Sequence, residues 1–222
     1  MMLVAVGLNH QTAPIALRER VAVAPESLAQ AAAALRATPG VLEAVVVSTC
    51  NRTEIYCSVE PGAQAAPAAW LHEFHGLRPS LLDEFLYRHV DSAMVRHLFR
   101  VATGLDSMVL GEPQVLGQVK ESWQRAREAG SLGNRLDRLF QNAFAVAKRA
   151  PSAGFLKTLL LRRAGSSVVA GISTARKMLE NWEQIEDEEL SAFTWSLFVG
   201  VREWRPQLDA QIEAVAENWS LS

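Results

Sequence analysis

Hydrophobic and polar positions at the start of the chain predict one strand and one helix, separated by a polar loop. The apolar run at residues 3–7 (LVAVG) is typical of a strand, and the polar segment 9–14 that follows it closes with a proline. An Ala- and Leu-rich stretch over residues 25–38 predicts a helix, with Pro25 and Glu26 as start signals and a Pro-Gly pair as the stop.

The next block predicts two strands joined by a short polar turn. Residues 41–48 are dominated by valine, and residues 54–59 (EIYCSV) are a second strand candidate; the turn Thr49-Cys50-Asn51-Arg52 lies between them. Because short strands alternate with helices, we expect an α/β (α+β) fold. Its expected form is a small mixed sheet with flanking helices, followed by a long helix and a helical tail.

The pattern from about residue 67 to residue 149 is mostly helical. Asp91 is predicted to cap a helix whose apolar side chains recur at helical spacing. Pro113 stands where a further helix would begin, and that pattern continues to about residue 129 before Gly130 ends it. Residues 135–149 carry apolar side chains at i, i+3, i+4 spacing, which predicts a packing face without chemistry.

The character of the chain changes near residue 150. The segment Pro151-Ser152-Ala153-Gly154 breaks the helical pattern, and tryptophans become frequent in residues 182–222. We therefore expect one domain at residues 1–150 and a helical tail at residues 151–222. Residues 150–222 contain no strand followed by G-x-G-x-x-G, so we expect no Rossmann domain and no cofactor-binding residues there.

Composition narrows the class of protein but not its chemistry. The 222 residues are 49% hydrophobic and 21% charged, which is typical of a globular protein, and the sequence predicts neither a leader nor a membrane span. The net charge of −2 predicts that any contact with RNA is local. The two cysteines fit a reduced, cytoplasmic compartment and form no zinc pattern, so we expect no metal.

The turn at residues 49–52 carries residue types suited to nucleophilic chemistry. A cysteine at a strand end is accessible yet held by the sheet, and Arg52 would favour its thiolate. Free amides in the turn would stabilise an oxyanion, while Thr49 and Asn51 add hydrogen-bonding groups suited to a carboxylate or an amino acid. The alternative is that Cys50 is a small apolar residue at a strand end, as Cys57 is expected to be within its strand.

A second polar group is predicted where one helix ends and the next begins. Gln114 and Gln118 are four residues apart, so they share a face near the positive start of the new helix. With Ser107 and Glu112 they could converge on a polar ligand, or the acidic residues of this loop could simply cap helix ends. His97 borders an apolar helix face, where a histidine is either a satisfied core residue or a catalyst.

Three segments, in order, resemble one protein family over residues 2–149. They are GLNHQTAP at 7–14, STCNRTE at 48–54 and HLFRVATGLDSMVLGEPQVLGQVK at 97–120, and they resemble the N-terminal domain of glutamyl-tRNA reductase. The resemblance implies an oxidoreductase of tetrapyrrole (porphyrin) biosynthesis. Its cysteine attacks the ester of glutamyl-tRNA, and NADPH reduces the resulting thioester to glutamate-1-semialdehyde.

The resemblance also implies roles for individual residues and for partners. Cys50 matches the nucleophile, and His97 matches a histidine important for activity. The substrate-binding residues that it implies are Thr49, Asn51, Arg52, Ser107, Glu112, Pro113, Gln114 and Gln118. The implied partners are the glutamyl-tRNA substrate, a second copy of the chain and a downstream aminomutase.

Residues 151–222 depart from the pattern of this family. Neither its NADPH domain nor its helical dimerisation domain is recognisable there, so we expect a chain that forms the thioester and reduces it poorly. Residues 182–222 faintly resemble a NusB-type antitermination factor, an all-helical RNA-binding protein, and a fusion or frameshift would explain the change. The alternative function is a non-reducing module that binds glutamyl-tRNA or another RNA and carries a helical tail.

Overall fold

The computed structural model describes residues 1–107 and 113–149. The expectations for residues 151–222, including the NusB-type resemblance and the helical tail, lie outside the described residues. The same holds for Glu112. For Pro113 and Arg149 the structure describes the backbone alone.

A four-stranded sheet forms the centre of the described domain. Its strands are β1 (Met2–Asn9), β2 (Val41–Ser48), β3 (Arg52–Val59) and β4 (Tyr87–Val90), in the spatial order β2-β3-β1-β4. The α+β class is confirmed, but every strand pair is antiparallel, so the expectation of a mixed sheet is wrong. Strands that run in the same direction are never neighbours: β3 separates β2 from β1, and β1 separates β3 from β4.

Helices flank this sheet, and the longer ones match the sequence pattern. The described α-helices are α1 (Ile15–Arg20), α2 (Leu28–Arg36), α3 (Ala66–His75), α4 (Pro79–Leu82), α5 (Ser92–Ala102), α6 (Pro113–Glu128) and α7 (Asn134–Arg149). The helix predicted from residue 25 begins as a 3-10 turn before α2. The elements α1, α4 and β4 were not predicted, because four to six residues are too few to show a period. No described helix is long and apolar enough to cross a membrane.

The central strand β3 is buried along its whole length because both of its faces are covered. Side chains alternate along a strand, so Arg52, Glu54 and Tyr56 share one face. The Tyr56 ring meets the Phe140 ring of α7 edge-on at 5.6 Å and lies 6.3 Å from the ring of His97 in α5. The polar face of β3 therefore lies beneath α5 and α7.

Two carboxylates at helix starts tie helices to the sheet. Glu43 of β2 accepts hydrogen bonds from the amides of Arg135 (3.2 Å) and Leu136 (2.6 Å), which caps α7 from outside the helix. Asp91 occupies the predicted cap position of α5 but caps nothing with its side chain. Its Oδ1 instead accepts a hydrogen bond from the amide of Leu3 at 2.9 Å, so it links the start of α5 to β1.

Candidate active site

The turn between β2 and β3 presents Cys50 to solvent while its own hydroxyl and amides hold its shape. Thr49 Oγ1 accepts hydrogen bonds from the amides of Asn51 and Arg52, both at 3.2 Å, and the Thr49 amide donates to the Arg52 carbonyl at 2.8 Å. Three amides of the turn are thus occupied, and a group of free amides for an oxyanion is not present. Within the described residues, the Cys50 amide is the one in this turn without an acceptor.

Arg18 of α1 is the arginine that holds the turn from outside. Its Nη1 donates to the Cys50 carbonyl at 2.9 Å and to Asn51 Oδ1 at 3.1 Å. These bonds tie the backbone of the exposed cysteine to the helix that follows the polar loop after β1. Arg18 was not among the predicted site residues, because nothing in the local sequence indicates that residues 18 and 50 meet.

Arg52 points away from the turn and into the protein. Its side chain is 2% exposed, and its guanidinium donates to Glu54 Oε1 at 2.7 Å and to the Asp106 carbonyl at 2.5 Å. Burial is the largest influence on Arg52 and by itself would lower its pKa, but the charge of Glu54, the two tyrosines Tyr56 and Tyr87 and the Glu54 hydrogen bond together outweigh burial and raise it. Arg52 is therefore a permanently charged part of the buried site, and no hydrogen bond joins it to the Cys50 side chain among the described residues.

Glu54 is fully buried and is the centre of a hydrogen-bonded cluster. It accepts hydrogen bonds from Arg52, from Tyr56 Oη at 2.5 Å and from Tyr87 Oη, and its Oε1 lies 3.1 Å from His97 Nε2. Burial alone would raise the pKa of Glu54, but Arg52 and His97 hold it well below the usual range of a carboxyl group. We call Arg52, Glu54, Tyr56, Tyr87 and His97 the Glu54 cluster.

His97 is held by carboxylates on both sides of its ring. Besides the Glu54 contact, its Nδ1 lies 3.7 Å from Asp106 Oδ2, and its side chain is only 8% exposed. The His89 ring of β4 stacks on it at 4.5 Å. Both ring nitrogens therefore face acceptors, which suits a fixed, positioned imidazole better than a free proton carrier.

The loop after α5 brings Asp106 and Ser107 to the same site. Gly104, at φ 76°, ends the helix, and the amide of Leu105 returns to the Arg100 carbonyl at 2.9 Å, as in a Schellman cap. Arg100 then holds the Asp106 carboxylate at 3.0 Å. The helix cap and the Arg100–Asp106 ion pair therefore fix the backbone immediately before Ser107.

Gly7 of β1 makes room for Glu54. The two residues are paired across β1 and β3, and a Cβ at position 7 would lie 2.6 Å from the Thr53 carbonyl oxygen and 2.8 Å from Glu54 Cγ. Those distances are too short for any side chain. A glycine here is therefore a requirement of the Glu54 cluster.

Three buried polar atoms at this end of the sheet lack hydrogen-bond partners within the described part of the chain. They are His10 Nδ1, Arg18 Nε and Ser107 Oγ. Buried polar atoms are ordinarily paired, and exceptions often lie where a ligand or a reacting group completes the set. We call His10, Arg18, Cys50 and Ser107 the Cys50 rim.

The predicted site residues separate into three groups. The structure brings Thr49, Cys50, Asn51, Arg52, His97 and Ser107 together at one end of the sheet. Gln114 is exposed and Gln118 is half-buried on α6, and no described hydrogen bond joins either to this site. Pro113 begins α6, as predicted, and Glu112 lies outside the described residues.

Part of the site could not be predicted from the sequence, for two reasons. The polar residues Arg52, Glu54 and Tyr56 at i, i+2 and i+4 would have indicated a polar strand face, had residue 52 been assigned to the strand rather than to the turn. Tyr87 and His89 lie on a four-residue strand that is too short to recognise. As expected, Cys57 is a core residue, and burial raises the pKa of its thiol.

The described residues do not fit a dinucleotide such as NADPH. The connection from β1 to α1 is the glycine-free segment Asn9-His10-Gln11-Thr12-Ala13-Pro14, which offers no close approach for a pyrophosphate. The sheet pairs are all antiparallel, so the described domain also has no pair of parallel strands at whose carboxyl ends a dinucleotide would bind.

Comparison with known proteins supports the resemblance seen in the three segments. The family model described as "Glutamyl-tRNAGlu reductase, N-terminal domain" matches residues 6–153. A glutamyl-tRNA reductase of Stenotrophomonas maltophilia (strain K279a) is 61% identical over 150 residues, covering 68% of this chain and 34% of the relative. One of Xanthomonas axonopodis pv. citri (strain 306) is 51% identical over 181 residues, covering 82% of this chain and 39% of the relative.

A solved structure agrees with these sequence matches. The glutamyl-tRNA reductase from Methanopyrus kandleri superposes with a TM-score of 0.52 at 28% identity, covering 82% of this chain and 40% of that one. The chain thus spans between 34% and 39% of the length of the curated relatives named above.

Proposed function

The chain belongs to the glutamyl-tRNA reductase family, and we propose that its described domain binds glutamyl-tRNA and takes the glutamyl group onto Cys50 as a thioester. The observation that carries the proposal is the contrast around Cys50. An exposed thiol stands on a hydrogen-bonded turn, at the same end of the sheet as three buried polar atoms that have no partner among the described residues and as a buried cluster whose charges are matched.

The chemistry follows from the position of Cys50. The Cys50 sulfur attacks the carbonyl carbon of the glutamyl ester, the C–S bond forms, and the C–O bond to the tRNA ribose breaks. The Cys50 amide is suited to donate a hydrogen bond to the oxyanion formed in between. Because the turn is held by Thr49 and Arg18, the backbone that carries both the sulfur and this amide keeps its conformation during the reaction.

The polar groups at the turn are suited to recognise the glutamyl moiety. We assign substrate binding to Thr49, Asn51, Arg52 and Ser107, with Glu112, Pro113, Gln114 and Gln118 completing the set. The Arg52 guanidinium supplies fixed positive charge beneath the turn, and Ser107 offers a hydroxyl that has no partner among the described residues. His97 is proposed to keep this charge arrangement in place through its contacts with Glu54 and Asp106.

Reduction of the thioester with NADPH to glutamate-1-semialdehyde is proposed as the activity of the whole protein, in porphyrin biosynthesis in the cytoplasm. Because residues 1–107 and 113–149 do not fit NADPH, no hydride step is assigned to them. A second copy of the chain and an aminomutase that receives the product are the further partners that we propose, on the strength of the family alone.

Trapping of the acyl-enzyme tests this proposal. The full chain is mixed with glutamyl-tRNA carrying radiolabelled glutamate, quenched in acid and analysed for protein-bound label and by peptide mass spectrometry. We expect label on the Cys50 peptide, its loss in Cys50→Ser, and its retention in Cys57→Ser. Label that persists in Cys50→Ser, or a wild-type chain that never acquires label, would contradict the nucleophile assignment and leave a binding module as the alternative.

A further inference from the structure

The cysteine chemistry proposed above needs a group that removes the thiol proton, and two histidines lie near the turn. His97 is the one that the sequence singled out, but its two nitrogens face Glu54 and Asp106, and the ring is stacked on His89. A proton taken by His97 would have to displace one of those contacts. His97 is therefore a positioning residue in this geometry.

His10 has the opposite surroundings. Its Nδ1 is shielded from solvent and has no hydrogen-bond partner among the residues that the structure describes. Because this nitrogen is not committed to another protein group, it is available to exchange a proton with a group that arrives during function.

The sheet register places His10 at the same end of the sheet as Cys50. Asn9, the last residue of β1, pairs with Arg52, the first residue of β3, so His10 and the turn both begin where this strand pair ends. Arg18, which follows the same loop, is bonded to the Cys50 carbonyl at 2.9 Å and closes the loop against the turn.

The backbone around His10 is fixed rather than free. Asn9 Oδ1 accepts hydrogen bonds from the amides of Gln11 (2.9 Å) and Thr12 (3.2 Å), and the Asn9 carbonyl accepts from the amides of Thr12 (3.1 Å) and Ala13 (2.9 Å). This Asx turn spans His10 and holds its Cα in one conformation. The turn therefore fixes the backbone of His10 at the end of the sheet where Cys50 also lies.

From these observations we propose that His10 is the acid–base residue of the acyl transfer, resting on the proposed function of Cys50. The Cys50 thiol gives its proton to His10 Nδ1 as the sulfur attacks the ester carbon. When the C–O bond breaks, the imidazolium returns that proton to the ribose oxygen of the departing tRNA. The products are the thioester and uncharged tRNA, and His10 ends neutral as it began.

The electrostatic surroundings of His10 support this role. Burial, followed by the positive charges of Arg52 and Arg18, lowers the pKa of His10, while Asp106 acts in the opposite direction. A lowered pKa keeps the imidazole neutral, and so able to accept a proton, at neutral pH. The rate of acyl transfer should accordingly rise with pH through the pKa of His10.

The test measures single-turnover thioester formation by the full chain against pH, for wild type, His10→Gln and a control variant. The control is His75→Gln, since His75 of α3 is also partly buried with a lowered pKa and a buried, unpaired nitrogen but lies outside the site. We expect His10→Gln to slow thioester formation by roughly 10²- to 10⁴-fold and to abolish the acidic limb of the profile, with His75→Gln unchanged.

A second measurement uses only the wild-type chain, so it tests the proposal even if His10→Gln does not fold. The imidazole resonances of His10 are followed by NMR in the wild-type chain, and their titration midpoint is compared with the acidic limb of the rate profile. Agreement between the two midpoints supports the proposal.

If wild type is acylated but the midpoints disagree, or folded His10→Gln reacts within threefold of wild type, the role of His10 is refuted while the Cys50 assignment stands. If wild type is never acylated, the proposed function itself fails, and the role of His10 fails with it.

Discussion

The Glu54 cluster and the Cys50 rim lie at one end of the same sheet, yet they are built in opposite ways. In the cluster, a fully buried carboxylate is satisfied by Arg52, Tyr56, Tyr87 and His97. In the rim, an exposed thiol is accompanied by three buried polar atoms that have no partner among the described residues. Satisfied polar groups make a structure rigid, whereas unsatisfied ones retain the capacity to bind.

This difference separates two kinds of mutational effect. Changes in the cluster should lower the free energy of unfolding, because they leave a charge or a donor buried without a partner. Changes in the rim that break no hydrogen bond among the described residues, such as a change at Ser107, should affect binding or catalysis and leave the free energy of unfolding almost unchanged.

The largest effect is expected from Glu54→Gln. The substitution preserves shape but leaves the Arg52 charge buried without its counter-ion, which should lower the free energy of unfolding by about 3–5 kcal/mol. Urea denaturation followed by circular dichroism measures it. The matched control is Glu121→Gln on the surface of α6, where loss of the partly exposed pair with Arg125 should cost less than about 0.5 kcal/mol. Equal, small effects of the two variants would show that the cluster does not stabilise the fold.

The pH dependence of stability should report the same carboxylate. The folded-state pKa of Glu54 lies below its unfolded value, so its contribution is complete above about pH 5 and is lost as pH falls toward the folded pKa. Over that acidic range, wild type should lose up to about 1.4 kcal/mol per pH unit more than Glu54→Gln does. Denaturation midpoints collected from pH 6 to pH 3 give the difference. Parallel curves for the two proteins would rule out a depressed pKa at Glu54.

Gly7→Ala should disturb the cluster by steric contact alone. The added methyl group would overlap the Thr53 carbonyl and the Glu54 side chain, and we expect a loss of about 1–3 kcal/mol. Gly117→Ala is the control, because a Cβ there meets nothing within 4 Å and the residue lies inside α6. That variant should gain about 1 kcal/mol. A neutral Gly7→Ala would mean that β1 and β3 separate easily at this point.

Ser107→Ala should have the smallest effect on stability and a visible one on binding. The Ser107 hydroxyl has no partner to lose among the described residues, so the free energy of unfolding should change by less than about 0.5 kcal/mol. A hydrogen bond lost to the substrate should raise KM for glutamyl-tRNA about two- to tenfold. Ser58→Ala, which removes another buried unpaired hydroxyl near the far end of β3, should leave KM unchanged. Equal KM values for both variants would remove Ser107 from the substrate site.

Local pattern was sufficient for the longer elements and for the centre of the site. The valine run predicted β2 with its observed bounds, Pro113 and Gly130 marked the limits of α6, and the polar residues after β2 predicted an accessible cysteine on a turn. These features depend on the spacing of apolar, polar and cap residues within about fifteen positions, and that spacing can be read directly from a sequence. Short elements such as α1 and β4 lack that spacing, and the residues they contribute, Arg18 and Tyr87, were missed with them.

By itself, the sequence determined the family, the α+β class, the exposed turn and the chemistry that Cys50 offers, because each depends on residue type and near neighbours. Only the tertiary structure decided which charges meet. Pairing of Asn9 with Arg52 and of Gly7 with Glu54 sets His10 and Arg18 beside the turn and buries the Glu54 carboxylate among its donors. Register between strands more than forty residues apart depends on how the whole core packs, so no local pattern specifies it.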